Sequence, residues 1–431
     1  MTKDVNIHVE HVTRVEGHGN IVLNVKEGKI EKVLWEVSEA PRYFESFVRG
    51  QPYDKLSHLT SRICGICSIG HSLASLKATE AAMQVPVSEQ TLKLRKLALH
   101  GENLQSHVLH IGYLVAPDLL GAPSVVPLAK THTDAVVKIV KLHRLANELS
   151  DLTCGRTTHP ITLKVGGFTH IPSKKKLLDF KQNILDHVSI AEDVAELVAS
   201  VAHNLPDFTR ETEYIGLVGD DEYPLYHGEI GSTDTGRHGV DQYETIVNEY
   251  AVPQSTAKYT KHNRDSFMVG ALARLNLNYD KLHDEAKKVA EMFHLKPVNC
   301  NPYMNTVAQL VEVVHSMYDS VDLIDQMVND GLKKEKNDVE IRAGRGMSAV
   351  EVPRGILFHD YTINEKGICT KANCVIPTNQ NHANIQKDME ELVPLILDKD
   401  EKEIELTLEM LVRAYDPCIS CSTHYLNVKF V

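Results

Sequence analysis

Two Cys-x-x-Cys pairs, Cys64–Cys67 and Cys418–Cys421, are the residues of this sequence most suited to chemistry. Such a pair puts two thiolates on one side of a turn, close enough to share a metal ion, and two pairs make a four-sulfur site. A structural zinc tying the end of the chain to its core is the plainest use of four sulfurs. Structural zinc sites commonly space their pairs by ~15–20 residues, whereas these pairs stand roughly 350 residues apart. A thioredoxin-type redox pair needs a surrounding βαβ pattern, which neither motif has. Cys154, Cys300 and Cys369 show no ligand spacing and read as core residues. No iron–sulfur cluster is therefore expected in this chain.

Only the fold can bring the two pairs together, so the elements that flank them matter. Residues 5–37 alternate in strand fashion. Ile21, Leu23 and Val25 point one way, Lys26-Glu27-Gly28-Lys29 supplies a turn, and Ile30, Val33 and Trp35 follow. A helix over 71–84 ends before Pro86. Ser88 can cap a long helix whose apolar stripe is Leu97, Leu104, Val108, Ile111 and Val115, stopped by Pro117. Residues 133–150 repeat the pattern with Val136, Ile139, Val140 and Leu149, and further helices run over about 174–201 and 305–330. Four long helices suggest a bundle. Residues 215–265 show no period and read as an irregular surface excursion. Residues 351–377 alternate again around a turn at Asn364-Glu365-Lys366-Gly367, and a last helix covers about 400–414. The fold class is thus mixed α/β (α+β): a central long-helix bundle with small antiparallel sheets in the N-terminal and C-terminal parts. The expected organisation is a β-rich segment over 1–60, a helical core over 61–350 and a C-terminal hairpin, helix and cysteine segment over 351–431, forming one integrated unit. Each cysteine pair then sits at a helix end.

The 431 residues are enough for two or three compact units. A hydrophobic fraction of 42% and a charged fraction of 24% argue against disorder. Lysine and arginine total 46 against 58 acids, a net charge of -12, which disfavours general nucleic-acid binding. No run of 18 apolar residues reads as a membrane span, and the N-terminus lacks a signal-type apolar stretch. Cytoplasm is the expected compartment.

The residues around the cysteines are distinctive. The first motif reads Arg62-Ile63-Cys64-Gly65-Ile66-Cys67-Ser68-Ile69-Gly70-His71 and the second Asp416-Pro417-Cys418-Ile419-Ser420-Cys421-Ser422-Thr423-His424. Together they closely resemble the catalytic (large) subunit of nickel–iron hydrogenases. The resemblance runs along nearly the whole chain. It includes Thr13-Arg14-Val15-Glu16-Gly17-His18, His159-Pro160 with Gly166-Gly167, Glu351-Val352-Pro353-Arg354-Gly355, and Cys374-Val375-Ile376-Pro377-Thr378. The short chain and the final histidine resemble the cytoplasmic, bidirectional, multisubunit branch.

The resemblance implies reversible heterolytic cleavage of dihydrogen at a nickel–iron centre. Cys64 and Cys418 would be terminal nickel ligands, and Cys67 and Cys421 would bridge nickel to an iron carrying cyanide and carbon monoxide. Glu16, otherwise a strand-end acid, would take a proton from the Cys418 sulfur. Arg354, a second candidate base, would lie over the open metal face, joined by Pro353, Asp118 and Asp416, whose carboxylates would orient its guanidinium. Thr378 would hydrogen-bond a cyanide and His71 a bridging sulfur. Glu45, His424 and the backbone carbonyl of Cys374 would hold magnesium, or iron, at a separate site. Electrons would leave through an iron–sulfur small subunit and further electron-transfer subunits, flavin or iron–sulfur. Two other readings are a non-catalytic relative, like the quinone-site subunit of respiratory complex I, and a structural zinc protein. The family's tail is normally cut after the final motif histidine, and here seven residues follow His424.

Overall fold

The computed structural model describes residues 4–335 and 338–424, so the seven-residue tail lies outside the described residues. At its centre the helices Glu89–Leu109, Thr133–Cys154, Lys174–Val201 and Asn305–Asp330 pack side by side. Ser88 caps the first of them, its hydroxyl accepting from the Thr91 N–H. Leu97, Leu104, Val108, Ile111 and Val115 are all buried, as their spacing requires. Val140 is not, being 48% exposed.

Pro117 does not end the first helix. The chain widens into a π-helix over His110–Val115 and continues as the short helix Ala116–Leu119, with Pro117 in its first turn. The proline forgoes one helical hydrogen bond, and it stands where the hydrogen-bonding pattern changes at the end of the π turn. The π turn carries Asp118 inward, the kind of irregularity found at functional sites.

Among the described residues, three sheets of three or four strands accompany the bundle, with two further two-stranded pairs. The N-terminal one pairs Val5–Val9, Gly19–Lys26 and Lys29–Val37 antiparallel. The C-terminal one pairs Gly344–Val352, Gly355–Ile363 and Cys369–Val375. Its two turns are Pro353-Arg354 and the expected one at Asn364–Gly367, closed by Gly367 N–H to the Asn364 carbonyl. The third sheet corrects the reading of 215–265 as an irregular surface. Glu213–Val218 is a strand buried along its whole length, paired with Glu229–Ser232 and, in parallel, with Phe267–Met268. A strand buried on both faces has no alternation to read.

The helix Ser68–Met83, which follows Cys67, lies directly on the strand Gly344–Val352. A Cβ on Gly346 would stand 2.2 Å from the Ala78 carbonyl oxygen and 2.2 Å from the Ala82 nitrogen. Both are backbone atoms and cannot swing aside. Gly346→Ala is expected to destabilise the chain by about 3 kcal/mol, at the upper end of overpacking costs. A fall in the denaturant midpoint at unchanged m-value would show it.

The helix Pro377–Ile396 is not among the sequence expectations. Thr378, Asn379, Gln380, Asn381, His382, Asn384 and Gln386 are all buried in its first half, where no apolar period can be read, whereas Ile385, Met389, Leu392, Val393 and Ile396 keep that period in the second half. Many of these side chains bond backbone instead. Gln386 brackets the outer strand of the N-terminal sheet through Trp35 N and the Val33 carbonyl, and Asn381 binds the Val269 amide. Among the described residues no helix is long and apolar enough to cross a membrane.

Candidate metal centre

Cys64 and Cys67 lie on the turn entering the helix Ser68–Met83, and Cys418 and Cys421 follow the helix Glu401–Ala414. The fold brings all four sulfurs within 4.8 Å of one another, fully buried. Individual Sγ separations are 3.4 Å for Cys64–Cys418, 3.8 Å for Cys67–Cys421 and 2.9 Å for Cys418–Cys421, and none is a disulfide.

Several contacts make this meeting possible. One Arg42 nitrogen donates to the carbonyls of Ile63 and Ser420, one in each cysteine loop. The backbone N–H groups of Arg42 and Phe44 hold the carbonyls of Thr423 and His424. Gly17 comes so close to the second loop that a Cβ would meet Ile419 Cβ at 2.7 Å and Ser420 N at 2.9 Å, and its φ of 86° also excludes most side chains. Glu102 binds the N–H groups of Ile69 and Gly70 at the start of the first helix. Burial pushes its carboxyl up to about 8 despite those donors.

Four sulfurs so close cannot all carry charge unaided. Burial raises the Cys64 thiol, but hydrogen bonds from Cys418, Cys421 and Cys67 outweigh it and pull its pKa well below the ordinary value. Burial and the hydrogen bonds with Cys418, Cys64 and Cys67 drive Cys421 well above it. One thiolate therefore forms and opposes the next. Cations shared between soft sulfur donors relieve that repulsion, so the donor set fits a pair of late transition metals.

Glu16 reaches the cluster. Its Oε2 accepts from Cys418 Sγ at 3.2 Å and from Ser420 N at 3.1 Å, and its Oε1 accepts from the Ser420 hydroxyl. Its backbone carbonyl also accepts from Ile419 N at 2.9 Å.

Arg354 sits on the Pro353-Arg354 hairpin turn, buried. It donates from Nη2 to Asp416 Oδ1 at 2.7 Å, from Nε to the Asp416 carbonyl at 2.5 Å and from Nη1 to Ser106 Oγ at 3.1 Å. Burial disfavours its charge, but Asp416 and the thiols of Cys418 and Cys64 hold the guanidinium protonated, far above its usual range. These contacts make it a fixed hydrogen-bond donor. Asp118 does not share in orienting it. Its carboxylate pairs with Arg14 and with Arg413, the latter at 2.7 Å. The turn itself is held by Arg274, which donates to the carbonyls of Val352 and Pro353 at 2.9 and 3.0 Å while pairing with Glu312 and Glu351. Nothing in the spacing of Arg274 announced that role.

The remaining expected residues are also near. The Thr378 hydroxyl accepts from Cys418 N at 3.1 Å, which leaves its proton free to donate. Glu45 Oε1 accepts from Cys374 N at 3.0 Å and lies 3.5 Å from His424 Nε2, which is 2.8 Å from the Cys374 carbonyl. These three groups form a small second cluster, linked to the C-terminal motif by His424 Nδ1, 3.0 Å from the Cys421 carbonyl. His71 is fully buried, and its Nε2 has no partner among the described residues.

Comparison with known proteins agrees with this arrangement. The model of the nickel-dependent hydrogenase family matches residues 42–140 and 232–424, and a HoxL-like model matches residues 6–40. The chain is 30% identical to the sulfhydrogenase 1 subunit alpha of Pyrococcus furiosus over 98% of each chain. It is 27% identical to the NAD-reducing hydrogenase HoxS subunit beta of Cupriavidus necator, over 97% of this chain and 94% of that one. A crystal structure of an NAD+-reducing [NiFe]-hydrogenase superposes with a TM-score of 0.89 at 25% identity, covering 97% of this chain and 99% of the other.

Proposed function

This chain belongs to the nickel-dependent hydrogenase family, and on that premise we propose how its residues carry out the reversible splitting of dihydrogen into protons and electrons. The supporting observation is the meeting of Cys64, Cys67, Cys418 and Cys421 in one buried cluster with Glu16 hydrogen-bonded to it. Cys64 and Cys418 would hold nickel alone, and Cys67 and Cys421 would hold nickel and iron together. The centre, when bound, supplies a redox-active site that polarises dihydrogen and accepts its electrons.

Cys418 Sγ receives the proton. Metal coordination keeps that sulfur deprotonated at neutral pH, which makes it a base. From Sγ the proton passes to Glu16 Oε2, at 3.2 Å. Ser420 holds both oxygens of that carboxylate in place. Arg354, fixed by Asp416 and Ser106, presents a permanent positive group beside the sulfurs, with Pro353 shaping the turn that carries it. Asp118 acts at one remove, locking Arg14 and Arg413 between the N-terminal segment and the C-terminal helix. Thr378 would donate to a cyanide on iron, where carbon monoxide would be the other diatomic ligand. Glu45, the Cys374 carbonyl and His424 suit a hard ion, magnesium or iron.

Electrons leave to a partner. Among the described residues the four-cysteine cluster is the one grouping of ligand-type side chains with metal-site geometry. The matched relatives are named as subunits of larger hydrogenases. The expected partner is an iron–sulfur small subunit, followed by flavin or iron–sulfur subunits.

The assembled complex is expected to contain nickel and iron in near-equal amount and to reduce a dye with dihydrogen. Elemental analysis beside a dye assay checks both. Zinc alone, without dye reduction, would overturn this reading in favour of a structural site.

A further inference from the structure

His71 is not isolated. Its Nδ1 lies 3.2 Å from His359 Nε2, and His359 Nδ1 lies 2.6 Å from the Tyr361 hydroxyl. All three side chains are fully buried. His359 and Tyr361 are two apart on the strand Gly355–Ile363, so both face the helix Ser68–Met83 that carries His71. Nothing in the alternating pattern of that strand marks them as functional.

From this geometry we infer that Tyr361 and His359 are positioning residues, forming a one-way donor chain that fixes His71 as its Nε2–H tautomer. The inference rests on the hydrogenase reading above. The protons on these three side chains can be counted. Among the described residues no carboxylate is bonded to either imidazole, and two charged rings 3.2 Å apart in a dry interior would repel. Each neutral imidazole has one N–H. Burial also keeps the tyrosine protonated, its pKa well above the ordinary phenol value.

If the phenol donates to His359 Nδ1, the proton of His359 must sit on Nε2. That N–H then donates to His71 Nδ1, and the proton of His71 must sit on Nε2. The reverse assignment leaves a bare lone pair on the buried His71 Nε2. That nitrogen has no partner among the described residues, and the charge of the Cys64 sulfur acts on the same ring. A lone pair near anionic sulfur is repelled, whereas an N–H is attracted, so the His71 end sets the direction and the protonated phenol serves as the donor at the other end. The outcome is a donor held ready for a sulfur of the metal centre. Its direction is set two residues away, on a different element, as ligand-orienting contacts commonly are.

Neutron diffraction on the deuterated, metal-loaded complex reads the chain directly, because it places hydrogen atoms that X-rays do not show. Deuterium is expected on Tyr361 Oη, His359 Nε2 and His71 Nε2, with both Nδ1 atoms bare. Deuterium on His71 Nδ1 would overturn the inference. Infrared spectra of the same complex give a second readout. A hydrogen bond to a bridging sulfur draws electron density from iron, so its loss should move the carbon monoxide and cyanide bands to lower wavenumber. His359→Leu and Tyr361→Phe are expected to show that shift with metal content unchanged. His359→Gln, whose amide can accept from Tyr361 and donate to His71, should hold the bands near their original positions. Unshifted bands in His359→Leu would remove His359 from the chain, and unshifted bands in Tyr361→Phe would remove Tyr361. A complex without nickel or these bands would instead sink the hydrogenase reading itself.

Discussion

Glu16→Gln will lower dihydrogen turnover by roughly 10²–10⁴-fold, the usual contribution of a positioned general base, while nickel and iron contents stay unchanged. The glutamine is nearly the shape of the glutamate, and its amide can keep bonds to the Ser420 N–H and hydroxyl. The cysteine loop should therefore keep its place. What the amide cannot do is accept and hold a proton from Cys418 Sγ. Dye reduction by dihydrogen, measured beside elemental analysis, separates these effects. Exchange between dihydrogen and heavy water should fall with turnover, because that exchange needs the same proton path. Undiminished turnover in the glutamine variant would reject Glu16 as the carrier and move the path to another group.

Sequence and structure agree most closely where the signal was chemical rather than periodic. The cysteine pairs, Glu16 and Arg354 could be placed at a site from their motifs, and the fold brings Cys64 and Cys418 to 3.4 Å across about 350 residues of chain. The long bundle helices were readable because one face of each is buried against the others, and the 3.6 period records that. The strand Glu213–Val218 was hidden because both of its faces are buried, and the first half of the helix Pro377–Ile396 because its buried residues are polar, leaving the period of Ile385, Met389, Leu392, Val393 and Ile396 too short to be read alone. The same limit applies to the residues that position the site. Arg42, Glu102 and Arg274 act on backbone groups of distant segments. A side chain whose partner is a backbone group far along the chain leaves no trace in local spacing. Asp118 illustrates the converse. The resemblance implied a place for it near the site, but its partners, Arg14 and Arg413, were not readable.

Arg354→Leu is expected to destabilise the chain by about 3–5 kcal/mol, the usual cost of breaking a buried ion pair by removing one partner. The leucine would leave Asp416, 2% exposed, without its charge partner in the interior. It would also free the Ser106 hydroxyl and the Asp416 carbonyl from their donors. Most of that cost belongs to the stranded carboxylate, so Arg354→Leu combined with Asp416→Asn should recover much of the stability. Denaturant unfolding of the two variants and the parent measures the recovery. Turnover follows a different rule. The double variant has no cation beside the sulfurs, and its activity should stay roughly 10²–10³-fold below the parent, the scale of losing one fixed donor aimed at a reacting centre. Arg354→Lys keeps the charge but loses the fork that meets Asp416 at two points. It should therefore be intermediate in both stability and rate. A double variant that regained rate together with stability would show that Arg354 only braces the fold, and that the cation has no part in handling dihydrogen.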